Sequence, residues 1–263
     1  MPVVIVTGGT FGIGSGISLT LAARGHDVVA FGLDSRQPSS TAENGTQLLC
    51  AEAAAKNLQL TAMEADVSVA ADVDRVVQAT LARFGRIDAL VNNAAIGPLG
   101  TILDTSEELF ERVIDVNVKG TFLCCKAVLP HMIAAGGGRI VNIGSGAGWG
   151  KPNMFAYATS KGAIHAFSQA LAYDFFQSRI RVNTVIPGGG GIWTGMSEGR
   201  RAGAPTGPMP VAAGTAAGRP AVKEDIANAV AFLLSPDAEV ISGAIIDVGS
   251  FAAQGGPIPK PPR

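Results

Sequence analysis

Tyr157 and Lys161 stand four residues apart in the stretch from Arg139 to Lys161, RIVNIGSGAGWGKPNMFAYATSK. On a helix that spacing puts both side chains on one face, about one turn apart, where they can act on a shared third group. An ammonium beside a phenol favours the phenolate. A free Tyr titrates at about 10 and one pKa unit is worth about 1.4 kcal/mol, so a few kcal/mol suit it to donate and accept protons near neutrality. Ser145 follows an apolar run, and its hydroxyl can bind the oxygen that the Tyr protonates. The pair alone is also what a solvated helix face looks like. What the rest of the chain brings to it decides between the two readings.

The elements that must position this group alternate strand and helix along the whole chain. Residues 3–6 are a short β-branched run of the kind buried on both faces of a parallel sheet. The run ends in Thr7-Gly-Gly-Thr-Phe-Gly12-Ile13-Gly14, followed by a helix over 15–24. Gly8, Gly12 and Gly14 at such a junction allow a tight turn, close backbone approach to a phosphate, and anion binding at the helix N-terminus. Residues 27–31 read as a second strand, with Asp34 about 20 residues beyond the turn, where an acid accepts from an adenosine ribose hydroxyl. Further strands are predicted at 58–63, 87–91, 139–143, 181–186 and 244–248, and helices at 46–57, 73–84, 157–177 and 222–235. A helix capped by Asp104 or Ser106 runs through Asn117 to about Pro130. The Asn is either bonded within that helix or marks a kink or water site opposite Tyr157. The alternation builds one α/β domain, a doubly wound parallel sheet of about seven strands with helices on both faces, over 1–254. Residues 195–219, rich in Gly, Pro and Ala, read as a flap that tightens on ligand binding. The proline-rich tail 255–263 reads as extended.

Composition excludes several function classes. The 263-residue chain carries a net charge of -1, which gives no electrostatic argument for nucleic acid or an anionic membrane. No apolar run reaches the length of about 18 residues that a membrane helix needs, so a cytoplasmic location is the expectation. Cys50, Cys124 and Cys125 show no metal spacing and read as reduced core thiols. His26, His131 and His165 are scattered, and no metal site is predicted. Trp149, Met154, Trp193 and Met196 are candidates for an apolar pocket wall, and Lys151, Arg200 and Arg201 for receiving an anionic group. The 157–177 helix is apolar over more than the face one sheet can cover, which implies a second burial partner.

Five separated motifs occur in one order: Thr7-Gly-x-x-x-Gly12-x-Gly14, Asp66-Val67, Asn92-Asn93-Ala94, Ser145, and Tyr157-x-x-x-Lys161. Together they resemble the single-domain branch of the short-chain dehydrogenase/reductase family over residues 2–250. Asn117 sits where that family carries its fourth catalytic residue, and Gly218-Arg219-Pro220 also looks like the family. The resemblance implies an oxidoreductase that interconverts a secondary alcohol and a ketone with a nicotinamide cofactor. Tyr157 would be the general acid and base, and Ser145 would hold the reacting oxygen. Lys161 would bind the nicotinamide ribose and depress the Tyr pKa, and Asn117 would support a proton relay. It further implies a cofactor site of Thr7, Gly8, Gly12, Ile13, Gly14, Asp34, Asp66, Val67, Asn93, Ala94, Pro187, Gly188 and Thr194, together with Tyr157 and Lys161.

The chain departs from the family in three places. Gly189, Gly190 and Gly191 push Thr194 two residues beyond its usual place, Val248-Gly249-Ser250 replaces the usual Asp-Gly-Gly, and Gly32 rather than Asp34 aligns with the family's acidic residue. NAD is the expected cofactor, because Phe11 and Leu33 offer no charge to a 2′-phosphate and Asp34 would repel one; NADP is the alternative if Ser35 and Arg36 are presented instead. The expected partners are a small alcohol or ketone substrate and further copies of the chain, as a homotetramer or homodimer. A catalytically silent dinucleotide-binding sensor or scaffold is the competing function, and an epimerase or dehydratase a third.

Overall fold

The computed structural model of the protein describes residues 1–34, 44–188 and 215–249. Seven strands form one sheet: β1 (Val3–Thr7), β2 (Asp27–Gly32), β3 (Thr61–Glu64), β4 (Ala89–Asn92), β5 (Gly138–Ile143), β6 (Ile180–Pro187) and β7 (Ile245–Val248). Their order is β3-β2-β1-β4-β5-β6-β7, and every neighbouring pair is parallel. The helices between them are α1 (Gly12–Ala23), α2 (Gly45–Ala55), α3 (Ala70–Phe84), α4 (Glu107–Ile114), α5 (Gly120–Ala134), α6 (Phe155–Asp174) and α7 (Lys223–Leu234).

The apolar runs of the strands explain both layers. Successive side chains point to opposite faces, so Val4 and Val6 of β1 meet Ile17 and Leu21 of α1 and Val230 of α7 on one side. Ile5 between them meets Val76 and Val77 of α3 and Cys124 and Val128 of α5 on the other. Strand order reverses between β1 and β4, and in open parallel sheets ligands bind outside the carboxyl ends of the strands at that reversal.

Three expectations need correction. The third strand begins at Thr61, not at residue 58: α2 ends through Asn57 in the left-handed region, the Leu58 amide returns to the Ala53 carbonyl, and Leu58 and Leu60 pack beneath α2. The predicted helix through Asn117 runs on to Ala134 but carries one π-helical turn, Asp115–Lys119, between α4 and α5. Ser106 rather than Asp104 caps it, accepting from the Leu109 amide, while Asp104 binds Thr101. Cys50 is exposed on α2, so only Cys124 and Cys125 are core thiols. No helix among the described residues is long and apolar enough to cross a membrane, and none of the described His, Cys, Asp and Glu residues cluster as a metal site.

Candidate active site

The glycines after β1 are required by contact as well as by conformation. Gly8 and Gly12 hold φ of 58° and 53°, a region that L side chains rarely adopt. A Cβ on Gly14 would stand 1.9 Å from the Gly8 carbonyl oxygen, and one on Gly8 would stand 2.9 Å from the Ala94 Cα. The turn is locked to the end of β4: Thr7 Oγ1 accepts from the amides of Asn93 and Ala94, both at 3.0 Å, and Asn93 Nδ2 donates to the carbonyls of Thr7 and Gly8. Phe11 precedes α1 without a side-chain cap, and no acidic residue occupies the first turn. The N-terminal amides of α1 therefore keep their affinity for an external anion.

The second half of the site lies at the ends of β5 and β6. Ser145 begins a 3-10 turn, Gly146–Trp149, and its Oγ accepts from the Ala147 amide at 3.2 Å, which leaves the hydroxyl proton free to donate. Ala147 and Met154 pack against the Tyr157 ring, which holds the phenol beside that turn. Lys161 is 4% exposed and its Nζ donates to the Ile143 carbonyl at 2.7 Å, 5.8 Å from the centre of the Tyr157 ring. Burial lowers its pKa to about 8. It has no carboxylate partner among the described residues, so its positive charge acts undiluted on what lies next to it.

Asn117 occupies the π turn, a feature that recurs at functional sites. Its side chain is not bonded within its own helix: Oδ1 accepts from the Ile96 amide at 2.8 Å, and Nδ2 donates to the Ile96 carbonyl and to Ser160 Oγ at 2.8 and 2.9 Å. Ser160 Oγ in turn donates to the Tyr157 carbonyl at 2.8 Å. Asn117 thus ties the segment after β4 to the start of α6 and fixes where Tyr157 stands. The sequence signals the fully buried Ser160 only as a small polar residue one turn after Tyr157.

His165, which the sequence shows only as one of three scattered histidines, continues the row of Tyr157 and Lys161 by another four residues. Its ring lies 4.6 Å from that of Trp149 and packs under Gly144 and Gly148, where a Cβ on Gly148 would come within 2.5 Å of it. Burial, with the charge of Lys161, lowers its pKa, so it supports the Ser145 turn as a neutral ring.

The other predicted cofactor residues are placed as follows. Asp34 is half-buried beyond β2, and its carboxylate accepts from the Thr46 amide and hydroxyl at 2.9 and 2.7 Å. Asp66 accepts from the Ser68 amide and hydroxyl and lies 3.5 Å from Arg112, and Val67 packs on Gly120 at the start of α5. Pro187 ends β6 and Gly188 follows it. Thr194, Trp193, Met196, Arg200, Arg201, Ser35 and Arg36 lie outside the described residues, as do most of the flap 195–219 and the tail.

Comparison with known proteins decides what this arrangement belongs to. The sequence profile described as short chain dehydrogenase matches residues 2–204. The chain belongs to the short-chain dehydrogenase/reductase family. It is 38% identical over 261 residues to 2-(R)-hydroxypropyl-CoM dehydrogenase of Xanthobacter autotrophicus, covering 95% of this chain and 98% of that protein. Among solved structures it is similar to a variant of actinorhodin polyketide ketoreductase with NADPH, at 27% identity, a TM-score of 0.84, and coverage of 95% and 97% of the two chains. It is also similar to 3-ketoacyl-(acyl-carrier-protein) reductase from Brucella melitensis complexed with NADH, at 32% identity, a TM-score of 0.79, and coverage of 94% and 96%. The family implies a nicotinamide dinucleotide, and the residues present fit it. The glycine cradle admits no side chain, the α1 amides face it uncapped, and a buried ammonium stands beside the phenol.

Proposed function

We propose that the protein interconverts a secondary alcohol and a ketone on a small or medium organic molecule, with Tyr157 as general acid and base. The observation that supports this most is the joint burial of Tyr157 and Lys161 on one face of α6, with Lys161 fixed to the end of β5 two residues before Ser145. A protein that only sensed a dinucleotide would have no need of that ammonium, that phenol and that hydroxyl together.

The residues divide the work. The turn Thr7–Gly14 and the amides of α1 hold the pyrophosphate of the dinucleotide, Asn93 and Ala94 hold the turn, Asp66 and Val67 border the adenine, and Pro187 and Gly188 border the nicotinamide side. When bound, the dinucleotide supplies or accepts the hydride. Ser145 donates to the substrate oxygen, and Tyr157 gives that oxygen a proton in reduction and removes it in oxidation. Lys161 keeps the phenolate accessible and binds the ribose. Asn117 positions Tyr157 through Ser160.

The cofactor in this reading is NAD. Each oxygen of Asp34 already accepts from Thr46, and the remaining lone pairs suit a ribose diol, whereas a 2′-phosphate at close range would be repelled by a few kcal/mol. Phe11, packed on Gly45 at the start of α2, offers no charge there. With nicotinamide absorbance followed over a panel of secondary alcohols and ketones, kcat/KM should favour NAD over NADP about tenfold or more, and Asp34→Ala should erode the preference. A wild type that favours NADP would reverse the assignment.

The protein works as a homo-oligomer in this reading, a tetramer or dimer. α5 and α6 leave between them an apolar cavity of about 510 Å³ lined by Phe122, Leu129, Ile133, Phe167, Leu171 and Phe175. Phe122, Ile133, Tyr173 and Phe176 are exposed on the same two helices and the turn after them. Contiguous apolar surface of this kind marks contact sites, and a second copy of the same helices covers it with like chemistry. Light scattering is expected to give two or four copies at micromolar concentration, with Leu129→Glu shifting the population toward monomer. A stable wild-type monomer would refute it.

A further inference from the structure

At the end of the sheet opposite Tyr157, arginines gather without enough acid to neutralise them. Arg139 on β5 and Arg181 on β6 are direct partners in the parallel register, and adjacent strands run about 4.8 Å apart, so like charges stand side by side where they destabilise. Arg179, at the entry to β6, and Arg86, before β4, line the same cavity of about 800 Å³ together with Asp88 and Glu239. Four guanidinium groups thus face two carboxylates.

The pairing leaves two of them over. Arg86 is held by both oxygens of Asp88. The Arg181 guanidinium donates to the carbonyls of Ser235 and Ile241 at 3.2 and 3.3 Å, is pushed down in pKa by burial and by Arg139, and is pulled back by Glu239. Arg139 and Arg179 have no acidic partner among the described residues. Arg179 also holds φ of 58°, where the other non-glycine examples among the described residues are the more tolerant Asn57 and Asn153.

We propose that this cavity binds a small phosphorylated anion, with Arg139 and Arg179 as its principal partners and Arg181 behind them. A guanidinium fork matches phosphate oxygens two at a time, and an anion between Arg139 and Arg181 turns an unfavourable pair into two favourable ones. The site is separate from the glycine turn. Arg139 and Ser145 stand near opposite ends of β5, six residues apart and therefore about 20 Å apart.

The test is calorimetric titration of pyrophosphate into the full chain with NADH saturating, so that the glycine turn is occupied, and with sodium chloride at matched ionic strength as reference. Saturable binding is expected in the wild type, weakened at least tenfold in Arg139→Gln and in Arg179→Gln, and tightened in Glu239→Gln, which removes the competing carboxylate. Without pyrophosphate, Arg139→Gln should melt no lower than wild type, because it dissolves the like-charge pair. Should that variant fail to fold, the exposed Arg179→Gln decides. Absence of saturable binding to the wild type, or binding unchanged in Arg179→Gln, overturns the proposal. So does binding of heparin without binding of pyrophosphate, which would assign the surface to a macromolecular partner. None of these readouts depends on turnover.

Discussion

Tyr157→Phe is expected to lower turnover roughly 100- to 10,000-fold, a loss of about 3 to 5 kcal/mol in transition-state stabilisation, with little change in cofactor affinity. The ring is what Ala147 and Met154 grip, and the variant keeps it. Only the hydroxyl goes. In the proposed reaction Ser145 would then still hold the substrate oxygen, but no group would be left to deliver or take its proton. The measurement is kcat and the dissociation constant for NADH, side by side in the two proteins. A drop in kcat accompanied by a rise in that dissociation constant and a lower melting temperature would mean that the ring was disturbed. Wild-type turnover would remove Tyr157 from the mechanism.

Lys161→Met should separate stability from activity. Burial holds Lys161 at about 8 instead of its ordinary 10.5, which corresponds to about 3 kcal/mol of unfavourable charge burial at pH 7. Loss of the bond to the Ile143 carbonyl returns about 1 kcal/mol of that. Without cofactor the variant should therefore be more stable than wild type at pH 7, yet with cofactor and substrate supplied it should lose roughly 100-fold or more in kcat/KM, since in the proposed reaction neither the ribose nor the phenolate would keep its cation. The sign with pH follows from proton counts. Between about pH 8 and 10.5 the unfolded chain binds the proton on Lys161 and the native chain does not, so this residue's penalty fades as pH rises through that window. The advantage of the variant in melting temperature should accordingly be largest at pH 7 and shrink toward pH 10. An advantage that grew with pH, or a variant less stable at pH 7, would contradict the burial argument.

How much of this the sequence disclosed depends on whether a residue's role is local. The β-branched runs and the spacing of Gly8, Gly12 and Gly14 are local signals, and the parallel sheet, the turn and the helix after it followed from them, whereas the order of the strands did not. Tyr157 and Lys161 were legible because a helix converts spacing directly into direction. Asn117 was legible as an anomaly but not as a mechanism: its partners, Ile96 and Ser160, are 21 and 43 residues away in sequence. Asp34 and Thr46, which engage one another, are 12 residues apart in sequence. Leu58 and Leu60 look like strand and serve instead to close α2, because alternation cannot say which neighbour an apolar side chain will meet. The pairing of Arg139 with Arg181 was beyond reach for the same reason, since it exists only once β5 and β6 are in register.

The most direct test of the proton chemistry is the pH dependence of kcat/KM for oxidation of a secondary alcohol, in wild type and Tyr157→Phe. The wild type should rise with pH to a plateau through an apparent pKa well below the value of about 10 for a free Tyr, because the buried ammonium of Lys161 favours the phenolate. In Tyr157→Phe the residual rate should lose that limb. An identical limb in both proteins would show that the base is another group and that Tyr157 does not carry the proton.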